Sequence, residues 1–307
     1  MRKIFNRTLV ECAEKDPRIH LVLADIGYGE IEPFARKFPD RYMNCGVMEQ
    51  NMTGVACGIA MEGNIAITYS IANFPTLRCL EQIRNDVCYH NANVKIVIIG
   101  GGVSYGPLGI SHHSTEDIAI MRALPNMLVV VPCDLQEAEA ATRAMLAHNG
   151  PVYYRCGYVG EKPIHNGAIQ FELGKAITVE EGGDCTVIFS GPLGLEAKKA
   201  VDIVREKEGI NCRLISMHTI KPIDREAIVK AARETGRIIT VEEHNLSGGL
   251  GSAVAEVLAD EGCLNVEMKR MALPDVFVHE VGSQQFLRER YGLGLEDIVR
   301  EIKTICK

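Results

Sequence analysis

The sequence has 307 residues, 47% of them hydrophobic, and a formal net charge of −7 at pH 7. This length suits two domains of roughly 100–200 residues each, and the acidic balance without a long basic run argues against nucleic acid as a partner. Charged residues interrupt the first apolar stretch, and every apolar run is far shorter than the roughly 20 residues that cross a bilayer, so we expect neither a signal peptide nor a membrane span.

Eleven cysteines are spread singly along the chain, from Cys12 to Cys306, without a Cys-x-x-Cys pair. In a chain of this length, such spacing is more typical of buried thiols in a reducing compartment than of a disulfide framework or a zinc site. The sequence therefore predicts a cytoplasmic protein.

Strand and helix signals alternate through the first half of the chain. Continuous β-branched runs bounded by turn residues are typical of strands buried on both faces of a parallel sheet. They predict strands at His20–Ala24, Ile65–Tyr69, Val94–Ile99 and Leu128–Val131. Helices are predicted at Met1–Glu14, within Asn44–Gly63, at Pro75–His90 and from Asp134, which Glu137 follows as in a capping box.

The alternation restarts after a polar, turn-rich segment at Gly157–Gln170. Strands are predicted at Cys185–Ser190, Cys212–Ser216, Arg237–Val241 and Leu264–Lys269, with helices at Leu193–Lys207, at Asp224–Thr235 and up to about Asp260. Such alternation specifies parallel sheets covered by helices on both faces. The prediction is an α/β protein with two doubly wound, mostly parallel-sheet domains: residues 1–157, a linker at 158–172, and a smaller domain at 173–307.

The stretch Asn44–Gly63 carries an acidic residue, Glu49, ahead of small and apolar residues. Gly54 and Gly58 each cost a helix roughly 1 kcal/mol against alanine, so we expect another element to pack closely here in compensation. A carboxylate in that setting would be poorly hydrated, which raises its pKa and makes it a proton donor near neutrality. The alternative is a helix-start glutamate that faces the helix dipole and points into water.

A second group of candidates follows the predicted strands at their carboxyl ends, where open α/β sheets bind ligands. It comprises Asp25, the loop Gly100–Gly109 and the run Ser111-His112-His113-Ser114. Neighbouring histidines on a loop can relay protons or donate to a substrate oxygen, and they are equally compatible with a solvated loop. They lack further ligands at metal spacing, so we predict no metal site in this chain.

A series of short motifs runs through the chain in order. Pro39-Asp40-Arg41 precedes Gly46–Ala60, which has the pattern Gly-x-x-Glu-Gln-x-x-x-x-x-Ala-x-Gly-x-Ala. The later members are Asn73-Phe74, Gln82-Ile83-Arg84, Ser111-His112, Glu116–Ala119, Arg122–Asn126, Val131–Asp134, Lys221–Asp224 and Val241–Gly251. No single motif is specific, but the ordered series resembles the C-terminal two-thirds of the transketolase family over nearly the whole chain.

The resemblance implies a thiamine diphosphate enzyme. Glu49 matches the family glutamate that bonds a ring nitrogen of the cofactor's aminopyrimidine and favours its imino tautomer, which activates the cofactor for attack on a ketose. His112 and His113 would hold substrate hydroxyls or assist proton transfer, and Asp25 would line the cofactor pocket.

Aromatic packing around the pyrimidine is reduced relative to the family. Of the three matching positions, only Phe74 is aromatic, whereas Ile71 and Leu77 are aliphatic. Tyr69 is the residue expected to compensate.

The family's diphosphate and magnesium motif, Gly-Asp-Gly followed by Asn, is missing from this sequence. The resemblance therefore implies a separate N-terminal-type subunit that supplies the diphosphate half of the site and most ligands of Mg²⁺ (or Ca²⁺). In the family the cofactor lies between two chains, which would make the glycine–alanine face near Glu49 an interface. The expected assembly is a heterotetramer with two copies of each subunit.

Several family positions that face the substrate are changed. Leu108 replaces an acidic residue and Gly100 replaces a histidine, whereas Arg2 and Arg155 match positions that contact a substrate phosphate. Losing hydrogen-bond partners changes which substrate an enzyme accepts. The resemblance thus implies transfer of a two-carbon ketol unit between a ketose and an aldose, with an unusual sugar from a specialised or cell-surface pathway.

Three other interpretations stay open. The beta subunit of a 2-oxo acid dehydrogenase shares this architecture, but it should carry His-Ser-Gln where this chain has His112-His113-Ser114. A deoxyxylulose-phosphate synthase-like enzyme shares the double histidine, although such enzymes are single chains that include the diphosphate domain. A non-catalytic scaffold subunit would fit the reduced aromatic pocket, but not the retention of Glu49.

Overall fold

The computed structural model describes residues 1–157 and 162–307, so residues 158–161 of the predicted linker lie outside the described residues. One sheet has seven strands in the order β10-β5-β6-β4-β3-β1-β2, and the other has five in the order β12-β11-β8-β9-β7. The strands are β1 Ile19–Leu23, β2 Tyr42–Asn44, β3 Ile65–Ile71, β4 Val94–Ile99, β5 Leu128–Val130, β6 Val152–Cys156, β7 Ile177–Glu180, β8 Cys185–Phe189, β9 Cys212–Ser216, β10 Thr219–Lys221, β11 Arg237–Asn245 and β12 Glu267–Leu273.

Helices cover the sheets. They are α1 Arg2–Lys15, α2 Glu32–Lys37, α3 Glu49–Met61, α4 Leu80–Gln82 with π-helical turns at Ile83–Cys88, α5 Asp117–Ala123, α6 Leu135–Ala147, α7 Gly194–Glu208, α8 Arg225–Thr235, α9 Leu250–Asp260, α10 Gln284–Arg290 and α11 Leu295–Ile305. The predicted mostly parallel α/β class is confirmed, since the only antiparallel pairings among the named strands are β10 with β5 and β7 with β9. Among the described residues, every helix is too short or too polar to span a membrane.

The helix predicted at Pro75–His90 begins later than expected. Residues 72–79 form successive turns, and regular helix starts only at Leu80. The Thr76 hydroxyl donates to the carbonyl oxygens of Ala72, at 2.7 Å, and Asn73, at 3.1 Å. Such local side-chain bonds compete with a helix. The loop they stabilise follows β3 and carries Phe74.

One strand crosses the division that the sequence suggests. β10 comes from the C-terminal half of the chain but pairs with β5 of the seven-stranded sheet. Next to this pairing, the Val131 amide donates to the His218 carbonyl oxygen at 2.7 Å. The two halves of the chain are therefore joined by main-chain hydrogen bonds as well as by side chains.

Arg155, which the resemblance places at a substrate phosphate, lies in a buried hydrogen-bond network. This residue of β6 is 5% exposed, and its guanidinium donates to both Asp117 carboxylate oxygens, with 2.8 Å from Nε to Oδ2. Nη2 also donates to the carbonyl oxygens of Ser114 and Glu243, each at 3.0 Å. A Cβ at Gly101 would lie 2.0 Å from Nε, so only glycine leaves room for this side chain. Arg155 is thus a buried link between the first sheet and the second domain.

Lys95, on β4, is a buried amine that bonds main-chain carbonyl groups. It is fully shielded from solvent, and Nζ donates to the carbonyl oxygens of His148, at 2.7 Å, and Gly150, at 2.6 Å. Burial lowers the pKa of this amine to about 7. The lysine thereby satisfies two carbonyl groups beyond the end of α6.

The pH dependence of stability should report Lys95. Its pKa in the folded chain is far below the ordinary value of about 10.4, so between these values the unfolded chain binds a proton that the folded chain does not. The free energy of unfolding should rise with pH in that window, by up to about 1.4 kcal/mol per pH unit from this group. The measurement is urea denaturation from about pH 7 to about pH 9. In Lys95→Met, the free energy of unfolding should rise less steeply with pH than in wild type.

The control is Lys207→Met, at an exposed lysine near the end of α7. It should keep the wild-type slope. The difference in free energy of unfolding between wild type and Lys95→Met should change with pH. A constant difference would contradict the lowered pKa.

Removing the acidic partner of Arg155 should strongly destabilise the chain. Asp117→Ala leaves a guanidinium buried without its counter-charge, for which the expected loss is about 3–5 kcal/mol in the free energy of unfolding. Asp260→Ala is the matched control because it breaks an ion pair with Arg225 whose side chains are 62% and 46% exposed. Exposed pairs contribute little. Equal urea midpoints for the two variants would show that the Arg155 network is not important for stability.

Candidate functional site

The candidate site lies at the carboxyl ends of the adjacent strands β4, β3, β1 and β2. The loop after β3 carries Phe74, the loop after β4 carries His112, and α3 begins shortly after β2. The Asn73 amide nitrogen donates to the Ser111 carbonyl oxygen at 2.8 Å, which ties the two loops together. The sheet therefore brings together segments that are far apart in sequence, as the parallel topology predicts.

Glu49 is the first residue of α3 and is 2% exposed, so it does not point into water. Its Oε2 accepts a hydrogen bond from Arg78 Nη1 at 2.7 Å. The sequence gives no signal for this pair, because Arg78 lies 29 residues from Glu49, beyond the reach of any local spacing rule. The buried carboxylate is thus compensated by a neighbouring cation.

An aromatic ring and a histidine extend this pair into a cluster. The Arg78 guanidinium carbon lies 4.6 Å from the centre of the Phe74 ring, a cation–π contact. The His112 ring meets Phe74 edge-on, with 5.3 Å between ring centres, and His112 Nδ1 lies 2.9 Å from Ser111 Oγ. Ile71 and Leu77 flank Phe74 on the same segment, and Leu77 is exposed. Glu49, Arg78, Phe74 and His112 form one continuous group.

His113 does not join this cluster. It is 2% exposed, and neither ring nitrogen has a hydrogen-bond partner within the described part of the chain. Burial lowers the pKa of His113, and the nearby charge of Glu243 only partly opposes this. The two neighbouring histidines therefore have different environments: His112 lies beside Phe74, whereas His113 is packed inside the protein.

Asp25 links the end of β1 to the start of α3. It has the left-handed φ of 53°, and Oδ1 accepts hydrogen bonds from the Tyr28 hydroxyl at 2.5 Å and from Asn44 Nδ2 at 3.1 Å. These two bonds, that of Tyr28 first, lower the pKa of Asp25. Asn44 Oδ1 in turn accepts from the amides of Asp25 and Gly46. Asp25 is therefore a carboxylate that orders the loop leading to Glu49.

A cavity of about 230 Å³ opens at the same edge of the sheet. Arg2, Tyr28, Tyr69, Ile71 and Tyr105 are among its lining residues. The sequence predicted Arg2, Ile71 and Tyr69 as site residues but missed both other tyrosines.

Tyr69 and Tyr105, both of which line the cavity, have different surroundings. Tyr69 is 1% exposed and stacks on Phe5 of α1 at 5.9 Å, so it belongs to the core under α1 and does not complete the ring packing around Phe74. Tyr105 packs over Gly100, where a Cβ would lie 2.4 Å from the tyrosine ring. Gly100 thus makes room for an aromatic wall of the cavity.

Leu108 is exposed on a short 3₁₀ turn, Gly106–Leu108, after β4. Its side chain is apolar and has no hydrogen-bonding group. This part of the loop therefore offers an apolar surface.

One group in the described residues has metal-ligand types close together: Cys133, Glu137 and His165. Both Glu137 oxygens already accept hydrogen bonds, Oε2 from the Cys133 amide at 2.8 Å and Oε1 from His165 Nε2 at 2.9 Å. The three side chains are therefore held together by hydrogen bonds at the start of α6. The capping residue predicted there is observed, since Asp134 Oδ1 accepts a hydrogen bond from the Glu137 amide.

The glycine face of α3, formed by Gly54 and Gly58, is open among the described residues. A Cβ at Gly54 or Gly58 would have no atom of the described residues within 4 Å. The close approach expected from the sequence is therefore not made within the chain. The exposed apolar side chains nearby in sequence are Met43, Val47, Met48 and Met61.

Comparisons with known proteins show which family this chain resembles. The family description "Transketolase, pyrimidine binding domain" matches residues 1–157, and "Transketolase, C-terminal domain" matches residues 174–298. The chain is 40% identical to the B subunit of an apulose-4-phosphate transketolase from Phocaeicola vulgatus, covering 100% of this chain and 97% of that one. It is 38% identical to a 6-deoxy-6-sulfo-D-fructose transketolase subunit of Clostridium sp. (strain MSTE9), covering 100% and 94%.

A solved structure is similar over the same extent. The structure titled "Split gene transketolase, inactive beta4 tetramer" superimposes with a TM-score of 0.89 at 38% identity, covering 99% of this chain and 97% of that one. The resemblance inferred from the motif series is confirmed. This chain belongs to the transketolase family and corresponds to its C-terminal section, a pyrimidine-binding domain followed by a C-terminal domain.

Proposed function

We propose that this chain is the C-terminal-type subunit of a two-subunit, thiamine diphosphate-dependent transketolase. The reaction moves a two-carbon ketol unit from a ketose to an aldose, with a non-standard sugar on one side. The observation that carries the proposal is the buried carboxylate of Glu49, held at the head of α3 beside Phe74 and His112. The names of two relatives, both transketolase subunits for unusual sugars, support it.

The residues around Glu49 suit an aminopyrimidine ring. The Arg78 guanidinium, a flat group with N–H donors, already contacts the Glu49 carboxylate and the Phe74 face together, so a planar heterocycle with similar donors fits there. When bound, thiamine diphosphate supplies the carbanion chemistry that cleaves and forms the carbon–carbon bond. Glu49 would hold a proton at a ring nitrogen, and Phe74, with Ile71 and Leu77, would pack against the ring.

His112 and Asp25 complete the polar part of the proposed pocket. His112 lies at the edge of the Phe74 ring, from which it can donate to a substrate oxygen or move a proton there. His113 is buried and without a hydrogen-bond partner among the described residues, so it supports the loop rather than contacting substrate. Asp25 keeps the turn before α3 in place through Tyr28 and Asn44.

The substrate would enter through the cavity that contains Arg2. Arg2 is a cation among the cavity's lining residues, and its Nη2 lies 3.9 Å from Glu30 Oε1. The relatives' substrates are named as a phosphate and as a sulfo sugar. We assign to Arg2 the anionic group of such a sugar. Leu108 would present an apolar surface to the sugar. Arg155 is not assigned a substrate contact, because its guanidinium is already bonded in the buried network.

A separate subunit would supply the diphosphate half of the site. This sequence has no Gly-Asp-Gly motif, so Mg²⁺ (or Ca²⁺) would be held mainly by that partner. The open glycine face of α3 and the exposed methionines near it support an interface there, in a heterotetramer. The eleven cysteines, all unbridged, suit the cytoplasm as the compartment.

The first experiment is a tagged pull-down of this chain from its host, with thiamine diphosphate and Mg²⁺ in the buffer. The expected result is a co-purifying second subunit, bound cofactor, and oxygen-independent ketol transfer from ketose to aldose. Lipoamide-dependent decarboxylation would instead indicate a 2-oxo acid dehydrogenase, and condensation of pyruvate with an aldose phosphate would indicate a synthase. Purification of the chain alone, without cofactor, would favour a scaffold.

Turnover should depend on the carboxylate of Glu49. In the assembled enzyme, Glu49→Gln should lower kcat by about 10²–10⁴-fold, because the amide cannot exchange a proton with the ring nitrogen. The circular dichroism spectrum should stay unchanged. Glu62→Gln, at the exposed C-terminal end of the same helix, is the control and should retain full kcat. Wild-type turnover in Glu49→Gln would sink the assignment.

Assembly should depend on the glycine face of α3. Gly58→Arg adds a side chain where the described chain has no atom within 4 Å, so the isolated subunit should fold normally but fail to assemble. Gly183→Arg is the matched control, because it is equally open but lies in the second domain. Native mass spectrometry of each variant with the partner would decide. Normal assembly of Gly58→Arg would place the interface elsewhere.

A further inference from the structure

Arg78 holds the two contacts that the proposed function assigns to the aminopyrimidine. Its Nη1 donates to Glu49 Oε2 at 2.7 Å, and its guanidinium lies 4.6 Å from the centre of the Phe74 ring. A guanidinium is planar, delocalised and rich in N–H donors, and it stacks on aromatic faces. In shape and hydrogen bonding it therefore resembles the edge of an aminopyrimidine.

The Arg78 guanidinium and an aminopyrimidine cannot both bond the same oxygen of Glu49 while stacked on Phe74. Arg78 bonds Glu49 Oε2 at 2.7 Å and covers the Phe74 ring at 4.6 Å, so a heterocycle that stacks on Phe74 and bonds Oε2 needs the space that the guanidinium occupies. Without Arg78, the isolated subunit would contain a buried carboxylate with no counter-charge, which is strongly destabilising. Arg78 therefore stabilises the cofactor-free subunit, and it competes with the cofactor for the same position.

Arg78 is also able to leave. Its side chain is 47% exposed, compared with 3% for Glu49, so solvent is available on one side. Its backbone is fixed independently, because Gln50 Nε2 donates to the Arg78 carbonyl oxygen at 2.9 Å. The side chain can thus rotate into water while Phe74 keeps its position on the same loop.

We propose that Arg78 is an internal placeholder: it occupies the aminopyrimidine position in the cofactor-free subunit and is displaced into solvent when thiamine diphosphate binds. This inference rests on the proposed function. The binding-competent form is then the fraction of molecules with Arg78 rotated out, and the apparent cofactor affinity is reduced by that fraction. If about one molecule in ten has the arginine rotated out, removing it should tighten binding about tenfold.

The test is equilibrium dialysis of thiamine diphosphate with Mg²⁺ against the purified two-subunit complex. Wild type, Arg78→Met and Arg78→Lys are compared, with Arg84→Met as the control at an exposed arginine whose guanidinium bonds the neighbouring Asn85. Arg78→Met should bind the cofactor about tenfold more tightly, and Arg84→Met should match wild type. Weaker or unchanged binding by Arg78→Met would overturn the placeholder role while leaving the proposed function intact.

Thermal unfolding provides a second measurement that does not need activity. Without cofactor, Arg78→Met should unfold at a lower temperature than wild type, because Glu49 loses its partner. With saturating cofactor, this difference should shrink or disappear. If Arg78 instead remained as a contact in the loaded site, the difference would grow on adding cofactor. Failure of every variant, wild type included, to bind thiamine diphosphate would overturn both the placeholder and the proposed function.

Discussion

The buried guanidinium of Arg155 joins three parts of the chain, one of which is the end of the histidine loop. It pairs with Asp117 at the start of α5 and donates to the Ser114 and Glu243 carbonyl oxygens. Ser114 follows the two histidines, and Glu243 belongs to the second domain. The position of the histidine loop therefore depends on the docking of the two domains.

Glu243 strengthens this dependence with its side chain. Its Oε1 accepts from the Val103 amide at 2.8 Å, in the loop after β4, and from Gln284 Nε2 at 2.9 Å. A Cβ at Gly102 would lie 2.5 Å from the same oxygen, so the loop needs glycine there. The C-terminal domain thus contributes to the site without facing it: it holds the loop that carries His112.

The carboxyl edge of the first sheet also concentrates charge in places with little solvent. Glu49 and Asp117 are both almost fully buried, and each has an arginine partner. The two pairs differ in a way that suits different tasks. Arg155 is buried with its partner and is suited to a permanent structural role, whereas Arg78 is half exposed and can exchange its place with a ligand.

Much of the architecture could be predicted from local patterns. The strand at Val94–Ile99 was predicted with its observed bounds, and the Asp134 cap has the expected hydrogen bond to the Glu137 amide. Of the two interpretations of Glu49 that the sequence left open, the structure shows the buried one. The helix predicted from Pro75 failed because Thr76 bonds back to the main chain, a competition that periodicity does not reveal.

By itself, the sequence determined the α/β class, the motif series of the transketolase family and the place of Glu49 at a helix start, because these depend on local spacing. Only the tertiary structure decided which charges meet. Arg78 reaches Glu49 across 29 residues and Arg155 reaches Asp117 across 38, and the fold also separated His112 from its buried neighbour His113. The physical reason is that burial and pairing are set by how strand ends converge in space, which no spacing along the chain specifies.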